Sequence, residues 1–244
     1  MYLGDADHPY VVFDFTPTHA GDGPKAWLGS YAGYIQADAL KQYDPVFDRP
    51  PPGPTEVGCW AHARRKFHDA RTSDPARAHE ALARIRALYE IEAEAKPLDD
   101  AGRLALRQTR ARPALEALFA WMIEQRARVL PKSPLGGALG YALGNRVALS
   151  RYTEAGYLAI DNNACERALR GIAVGRGNWT FLGSEAGGKT AAVLYSVVGS
   201  CRRSGLDPWA YLRDVFTRLP ALPAERLDEL LPDRWAKEHA APTR

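Results

Sequence analysis

The first sixty residues alternate short apolar runs with turn-forming segments, a pattern typical of β-strands joined by loops. The run YVVFDF at 10–15 is rich in β-branched and aromatic residues and predicts a first strand. Residues 33–37 and 55–60 predict two more strands, and residues 24–31 predict a brief helix. The tract PPPGP at 50–54 predicts the loop before the last of these strands.

From residue 62 onward, apolar positions recur at helical spacing. The predicted helices cover 62–71, 77–95, 113–130, 136–151, 189–203 and 208–218. Strand character returns only at 178–182. A helical block of about 90 residues between strand-bearing segments predicts an α/β core that is split by a helical insertion.

The composition is that of a globular protein. The chain has 244 residues, 46% of them hydrophobic and 25% charged, enough for a large core. No apolar run reaches the roughly 18 residues that span a bilayer, and the N-terminus lacks an export pattern. Cys59, Cys165 and Cys201 are widely spaced, which favours free thiols over disulfides. We therefore expect a soluble protein of the reducing cytoplasm.

The net charge of +3 is modest, but it is unevenly distributed along the chain. Residues 1–56 carry eight acidic and three basic side chains, whereas residues 101–151 carry nine basic and two acidic ones. Acidic groups can hold divalent cations and basic groups can contact phosphates, so this distribution favours a nucleic-acid enzyme. A solvated, arginine-rich helical surface is the alternative.

The segment DNNACERALR at 161–170 combines one carboxylate with amides and arginines at a predicted helix start. Glu166, Arg167 and Arg170 lie there at helical spacing, a composition suited to holding a metal ion beside phosphates. The structural alternative is a capping box between residues 163 and 166 with an ordinary ion pair to residue 170. Arg176 and Trp179 follow as a basic and aromatic pair, and Trp179 is a candidate to stack on a DNA base.

Cys59 and His62 form a C-x-x-H pair just before the helical block. Such a pair can contribute to a zinc site, but tetrahedral zinc needs about four ligands and the sequence offers no second pair. We interpret the pair as a buried strand-to-helix junction. The basic residues that follow it, Arg64, Arg65 and Lys66, are predicted to contact phosphates.

Residues 183–190, GSEAGGKT, satisfy the phosphate-loop pattern G-x-x-x-x-G-K-[ST] between a predicted strand and a predicted helix. This motif alone would indicate an ATP-binding protein. The residues after Thr190, however, offer no apolar strand that ends in an aspartate, and too few strands for that fold. We expect a packing or DNA-approach loop in which Lys189 contacts a phosphate. Nucleotide binding is kept as an alternative.

Six segments occur in an order and spacing that resemble one known family. They are VVFDFTPTHAGDGP at 11–24, GYIQAD at 33–38, EVGCWAHARRKFHDA at 56–70, DNNACERALR at 161–170, GNWTFLGSEAGGKTAAVLYS at 177–196 and LDPWAYL at 206–212. Together they resemble the transposases of the insertion sequence 66 family. The resemblance covers Tyr2 to Trp235.

The resemblance implies a ribonuclease H-like core in which two aspartates and a glutamate, the DDE set, hold two Mg²⁺ or Mn²⁺ ions for DNA strand cleavage and transfer. It places the second aspartate at Asp38, at the end of the strand GYIQA, and the glutamate at Glu166. Their carboxylates are expected within about 10 Å, in reach of a shared metal. It also implies transposon-end and target DNA as partners, a homo-oligomer on that DNA, and accessory proteins of the element. The implied location is the bacterial cytoplasm, in association with the nucleoid.

In the family, the first aspartate lies upstream of the segment that Tyr2 to Asp5 resembles, and no residue of this sequence matches it. Asp14 lies in a predicted strand, but the resemblance gives it a non-catalytic place. We therefore expect a truncated transposase with a weak or incomplete metal site and impaired catalysis. A non-catalytic DNA-binding remnant is the alternative.

The predicted fold class is thus α/β, a ribonuclease H-like core that lacks its first strand and is interrupted by a mostly helical insertion. The first part of the core covers 1–71 and the insertion covers 72–160. The second part of the core, with the Glu166 helix, covers 161–219. A short helical tail covers 220–244.

Overall fold

The computed structural model describes residues 1–5, 8–18, 20–179 and 182–239, without the side chains of 176–179. In this part of the chain, helices predominate and strands are short. The strands are β1 (Tyr2–Leu3), β2 (Val11–Val12), β3 (Tyr34–Gln36) and β4 (Thr55–Val57). The helices are α1 (Asp22–Leu28), α2 (Asp44–Phe47), α3 (Trp60–Asp69), α4 (Pro75–Ala95), α5 (Asp100–Leu106), α6 (Arg112–Arg126), α7 (Pro134–Gly144), α8 (Arg146–Ser150), α9 (Asn163–Trp179), α10 (Glu185–Arg203), α11 (Pro208–Arg218) and α12 (Pro232–His239).

The chain divides into two compact units. Residues Met1–Thr18 and Ala164–Arg244 form the first, which we name the terminal unit. Residues His19–Asn163 form the second, the central unit. Strand β1 pairs antiparallel with β2 in the terminal unit, and β3 pairs parallel with β4 in the central unit.

Helices α3, α4, α6 and α7 pack around the core of the central unit. Trp60 and Phe119 are buried there, with ring centroids 5.9 Å apart. The buried side chains of α4 recur every three or four residues, so that the helix has one apolar face. Removal of this apolar surface from water stabilises the unit by about 25 cal/mol for each Å² buried.

Proline marks the start of several helices. Helices α4, α7 and α11 each begin with proline, preceded by Asp74, Ser133 and Asp207 as N-cap residues. Each cap side chain accepts a hydrogen bond from a backbone N–H of the first turn. Proline suits this position because it lacks the N–H that would be unpaired and because its fixed φ is helical. Pro75 and Pro134 therefore mark helix starts.

Arg107 is a buried cation that joins three segments of the central unit. It lies in a π-helical turn between α5 and α6 and is only 3% exposed. Its Nε and Nη2 donate to the carboxylate of Glu92 at 2.9 and 2.6 Å. Its Nη1 donates to the carbonyl oxygens of Tyr152, Ala155 and Gly156. The guanidinium therefore fixes the 152–156 segment against α4.

In the terminal unit, two serine hydroxyls of α10 hold β2. Ser200 Oγ accepts a hydrogen bond from Val11 N–H at 3.0 Å, and Ser196 Oγ accepts one from Phe13 N–H at 2.8 Å. These serines are one helical turn apart, so they meet alternate residues of the strand. The helix thereby covers the edge of β2 that faces away from β1. Cys201 contributes to a separate buried cluster that joins α10 to α11 and α12.

Most predicted helices are observed, but two expectations about strands need correction. The predicted strand at 178–182 is wrong, because α9 continues to Trp179 and Leu182 lies outside any strand. Thr180 and Phe181 lie outside the described residues. The four strands are two or three residues long and form two separate two-stranded sheets, so an α/β core is not observed among the described residues.

Among the described residues, no helix combines the length and the apolar character that crossing a membrane requires.

The Arg107 interaction predicts a large stability effect. Arg107→Met should lower the free energy of unfolding by about 3–5 kcal/mol, because the Glu92 carboxylate and three carbonyls would stay buried without their donor. Urea unfolding followed by circular dichroism measures the change. Arg110→Met is the matched control, since it removes an exposed pair with Glu94 and should change stability by less than about 1 kcal/mol. Equal effects of both variants would contradict the assignment.

Candidate functional site

Asp38 lies where the parallel strand pair of the central unit ends. Ala37 N–H donates to Val57 O at 3.0 Å, so the pairing of β3 with β4 extends to the residue before Asp38. Ala39 then adopts a left-handed φ of 59°, which turns the chain away from the sheet. The Tyr141 hydroxyl donates to Asp38 O at 3.1 Å. The backbone of Asp38 is thus held from two sides.

The carboxylate of Asp38 makes no hydrogen bond to the residues that the structure describes. The His62 Nε2 atom lies 4.0 Å from Asp38 Oδ2. The Asp38 side chain is 23% exposed, so solvent or an ion can reach it. Carboxylate oxygens with open coordination positions are the ligands that Mg²⁺ and Mn²⁺ prefer.

Cys59 lies in a buried strand-to-helix junction, as predicted. Its thiol donates to Asn162 Oδ1 at 3.0 Å and accepts from Asn162 N–H at 3.4 Å. His62 Nδ1 lies 3.2 Å from the same sulfur. Burial raises the pKa of the Cys59 thiol, so the neutral form is favoured. Among the described residues, no group of three or more histidine, cysteine or acidic side chains is arranged to hold a metal ion.

The segment before α9 is fixed within the central unit. Trp60 N–H donates to Ile160 O at 3.1 Å, and the Tyr89 hydroxyl donates to Asp161 Oδ2 at 2.9 Å. Asp161 also accepts from Asn163 N–H and from the Asn163 amide group. Burial and the Asp161 carboxylate raise the pKa of Tyr89, which therefore stays a donor. Asp161 is a structural acid that organises the helix start.

Glu166 lies in the first turn of α9 and is exposed, as are Arg167 and Arg170. These residues belong to the terminal unit, whereas Asp38 belongs to the central unit. The expected approach of Asp38 and Glu166 therefore stays a prediction. The side chains of Arg176 and Trp179 lie outside the described part of the structure.

Three consecutive basic residues on α3 are available to a ligand. Arg64 and Arg65 are exposed and form no hydrogen bond or ion pair with described residues. The Lys66 ammonium lies 4.6 Å from the centroid of the Tyr141 ring, a cation–π contact that leaves it at the surface. Tyr141 also contacts the backbone of Asp38, so the basic face of α3 lies beside the candidate acid.

Most basic side chains of residues 101–151 interact with other groups of the protein. Four of the arginines form ion pairs, namely Arg103 with Asp100, Arg107 with Glu92, Arg110 with Glu94 and Arg128 with Glu124. Two others, Arg126 and Arg151, donate to backbone carbonyls. Three of the acids in these ion pairs precede residue 101, so a count of charged residues within 101–151 alone omits them. The positive charge of residues 101–151 that remains available to a ligand is therefore smaller than the sequence suggests.

The GSEAGGKT motif begins a helix rather than a phosphate loop. Ser184 is the N-cap of α10, and its hydroxyl accepts from Gly187 N–H at 3.1 Å. Gly188 N–H donates to Ser184 O at 3.0 Å, so this N–H is part of the helical hydrogen-bond pattern. Gly188 is buried against the Phe15 ring, and a side chain there would collide with that ring. The glycine allows close packing, while Lys189 stays exposed.

Sequence patterns did not indicate a cleft in the terminal unit. It has a volume of about 1000 Å³ and lies between the β1–β2 pair, α9 and α10. Leu3, Val11 and Ile172 contribute to its apolar walls, and Arg167 and Arg202 add positive charge. Small residues on α9 and α10 keep this space open, which helix periodicity alone cannot reveal.

The chain matches known proteins over most of its length. Residues 1–190 match the family described as "Transposase IS66 family", and residues 196–232 match the "IS66 C-terminal element". No solved structure matches the chain.

Two similar proteins are the uncharacterized proteins y4hP and y4qI of Sinorhizobium fredii (strain NBRC 101917 / NGR234). The first is 33% identical over 254 residues, covering 98% of this chain and 46% of the relative. The second is 32% identical over 236 residues, covering 94% of this chain and 44% of the relative. The chain therefore spans about half the length of these relatives. Because the family match covers most of its residues, the chain belongs to the IS66 family of transposases.

Proposed function

We propose that the chain takes part in DNA transposition as the carboxylate-bearing part of a DDE transposase, with Asp38 and Glu166 as ligands of divalent metal. The observation that carries this proposal is the environment of the Asp38 backbone and carboxylate. Its backbone is held at the end of a strand, while its carboxylate is partly exposed and makes no hydrogen bond to described residues. Family membership supports DNA as the substrate.

The donor set suits Mg²⁺ or Mn²⁺, because both are hard cations that prefer carboxylate oxygens and water. When bound, two such ions activate the attacking oxygen and stabilise the leaving oxygen of a DNA strand. Asp38 and Glu166 would hold the ions. Phosphates of the DNA would contact Arg64, Arg65 and Lys66, with Arg167, Arg170, Arg176 and Lys189 as further contacts and Trp179 stacking on a base.

The first acid of the DDE set is not matched within these residues. We propose that it is carried by a strand that pairs with β1. The register places Tyr2 opposite Val12, and Gly4 N–H donates to Tyr10 O, so the N–H and C=O of Leu3 point to the outer edge of β1. The other edge of the β1–β2 pair, which belongs to β2, is covered by two serines of α10. An added strand would therefore pair with the outer edge of β1.

Addition of that strand would extend the β1–β2 pair to three strands, as a ribonuclease H-like core requires. In this arrangement residues 1–71 and 161–219 supply the core, 72–160 form the insertion, and 220–244 form the tail. The assembled protein is proposed to act as an oligomer on transposon ends and target DNA, with accessory proteins of the element. The second candidate, a non-catalytic DNA-binding remnant, follows from the unmatched first acid.

Cleavage assays distinguish the two candidates. The 244-residue chain should show little nicking of supercoiled plasmid in Mg²⁺ or Mn²⁺, because two carboxylates cannot organise both ions. A version extended upstream by a family-like first strand with its aspartate should recover metal-dependent nicking. In that version Asp38→Asn or Glu166→Gln should abolish cleavage, whereas Asp44→Asn, an exposed acid of the same chain, should not.

Robust cleavage by the 244 residues alone would overturn the need for an added acid. Asp14→Asn would then be the decisive variant. Extended protein that binds DNA but never cleaves it would favour the non-catalytic remnant.

DNA binding should depend on the α3 surface. We expect the chain to bind duplex DNA without sequence preference, with an affinity that falls steeply as salt rises, because each neutralised phosphate releases counterion. Arg64→Ala with Arg65→Ala should lower the slope of log K against log salt by about 1 to 2. Fluorescence anisotropy measures both quantities.

Arg86→Ala is the matched control for the α3 variants. Arg86 is exposed in the same unit, but its charge is already paired with Glu90. An equal loss of affinity in this variant would show that net charge, rather than the α3 surface, drives binding.

The chain should not bind ATP through residues 183–190. The backbone N–H groups that a phosphate loop offers to its ligand are here part of the first turns of α10. Isothermal titration with Mg-ATP should show no micromolar binding. Binding that is lost in Lys189→Ala would establish the nucleotide alternative instead.

A further inference from the structure

An aromatic and acidic patch lies at the start of β3, whereas Asp38 follows the end of this strand. We define the patch by Tyr34, Tyr157 and Glu154. The rings of Tyr34 and Tyr157 meet edge to face, with centroids 6.3 Å apart and an interplanar angle of 65°. The Tyr34 hydroxyl donates to Glu154 Oε2 at 2.9 Å. Tyr157 is 59% exposed.

Tyr157 is exposed although its backbone is rigidly held. The adjacent carbonyls of Ala155 and Gly156 accept hydrogen bonds from buried Arg107 at 2.7 and 3.1 Å. Gly156 is itself buried against the backbone of Asp100, where no side chain would fit. The backbone that carries the exposed ring is therefore held in place, and the ring itself contacts Tyr34. An aromatic ring whose backbone is already ordered loses less conformational freedom when it binds a ligand.

The patch lies on the same side of β3 as Asp38. Side chains of a strand alternate between its faces, so Tyr34, Gln36 and Asp38 project to one side. Contacts agree with this, because Gln36 Nε2 donates to Ala159 O at 2.7 Å, beside the Tyr157 turn. At about 3.3 Å per residue, Tyr34 and Asp38 lie roughly 13 Å apart along the strand. Stacked nucleotides are spaced by about 3.4 Å, so this span corresponds to about four of them, or fewer if extended.

The chemistry of the patch fits a nucleobase. Every base has a π-face that can stack on an aromatic ring, and such stacking is not sequence-specific. The Glu154 carboxylate adds a hydrogen-bond acceptor, which suits the exocyclic amino groups of cytosine, adenine and guanine. Thymine has no such group. The nearby Arg151, which donates to Glu56 O at 2.7 Å, supplies a positive charge for the adjoining phosphate.

We propose that Tyr34, Tyr157 and Glu154 bind an unpaired, amino-bearing nucleobase of a DNA strand whose backbone passes Asp38. The site rests on the proposed DNA-processing function and adds a specificity element to it. It would hold a base that has left the duplex a few nucleotides from the point of cleavage. Stacking on the Tyr157 ring would offset the loss of base pairing at that position.

Binding of tailed and blunt DNA tests the site. The probes are one labelled duplex with a blunt end, the same duplex with a four-nucleotide cytosine tail, and the same duplex with a thymine tail. Anisotropy without divalent metal gives each affinity. The chain should bind the cytosine-tailed duplex about tenfold more tightly than the blunt one, equivalent to about 1.4 kcal/mol, and the thymine-tailed one less tightly than the cytosine-tailed one.

Three variants separate the roles of the ring and the carboxylate. Tyr157→Leu should remove most of the gain from either tail and leave blunt-duplex affinity unchanged. Tyr157→Trp should keep the gain, since it retains a stacking surface. Glu154→Gln should reduce the preference for cytosine over thymine, because its amide can also donate to thymine. Ile123→Ala, a 53% exposed apolar residue on α6, is the control and should change nothing.

Each outcome has a distinct meaning. Tails that add no affinity, or a Tyr157→Leu variant that weakens blunt and tailed duplexes equally, would overturn this site while DNA binding by α3 stands. Failure to bind any of the three DNAs would overturn the proposed function itself, and the base site with it. Unfolding midpoints of the variants equal to that of the parent chain exclude a folding defect at this exposed position.

Discussion

The buried junction at Cys59 and Trp60 is the constraint on which the central unit depends. The Trp60 ring fills the core against Phe119, and its indole N–H donates to Leu149 O at 2.8 Å. Its backbone N–H donates to Ile160 O, and the neighbouring Cys59 thiol donates to Asn162 Oδ1. One apolar anchor and a few hydrogen bonds thus tie β4 and α3 to the segment that leads into α9. Because the two Trp60 donors are buried with their acceptors, loss of either acceptor would leave an unsatisfied polar group, and the geometry is strongly specified.

Arginine serves two different purposes in this chain, and burial distinguishes them. Arg107 is nearly inaccessible and has its donors directed at a carboxylate and three carbonyls, so it shapes the 152–156 turn. Arg64 and Arg65 are exposed and form no hydrogen bond or ion pair with the residues that the structure describes, so they are available to neutralise an external charge. A planar guanidinium suits both tasks, since it offers several donors in fixed directions and stays charged when buried. Net charge by itself therefore says little about where a nucleic acid binds.

The helices were the most predictable part of the fold, because their apolar side chains recur at the helical period over ten or more residues, as in α4 and α6. The short strands were less predictable, since pairing depends on distant partners such as Ser200 for Val11. The GSEAGGKT pattern shows a related difficulty: its glycines satisfy a motif, but their observed use is to start a helix and pack on Phe15. The pair of Arg107 with Glu92 and the exposure of Tyr157 arise from tertiary packing, which no local pattern encodes.

The central unit holds two aspartates near the proposed site, and hydrogen bonding separates their roles. Asp161 has both carboxylate oxygens engaged, by Tyr89 and by Asn163, so a metal ion would have to displace those donors. Asp38 has its main chain fixed, and its carboxylate accepts no hydrogen bond from the described part of the chain, so an ion could bind without displacing a donor there. An acid that is satisfied by its own fold stabilises that fold, whereas an acid held in place but left unsatisfied is prepared for an external partner. This difference, which cannot be seen in the sequence, is the physical reason why we propose Asp38 rather than Asp161 as a metal ligand.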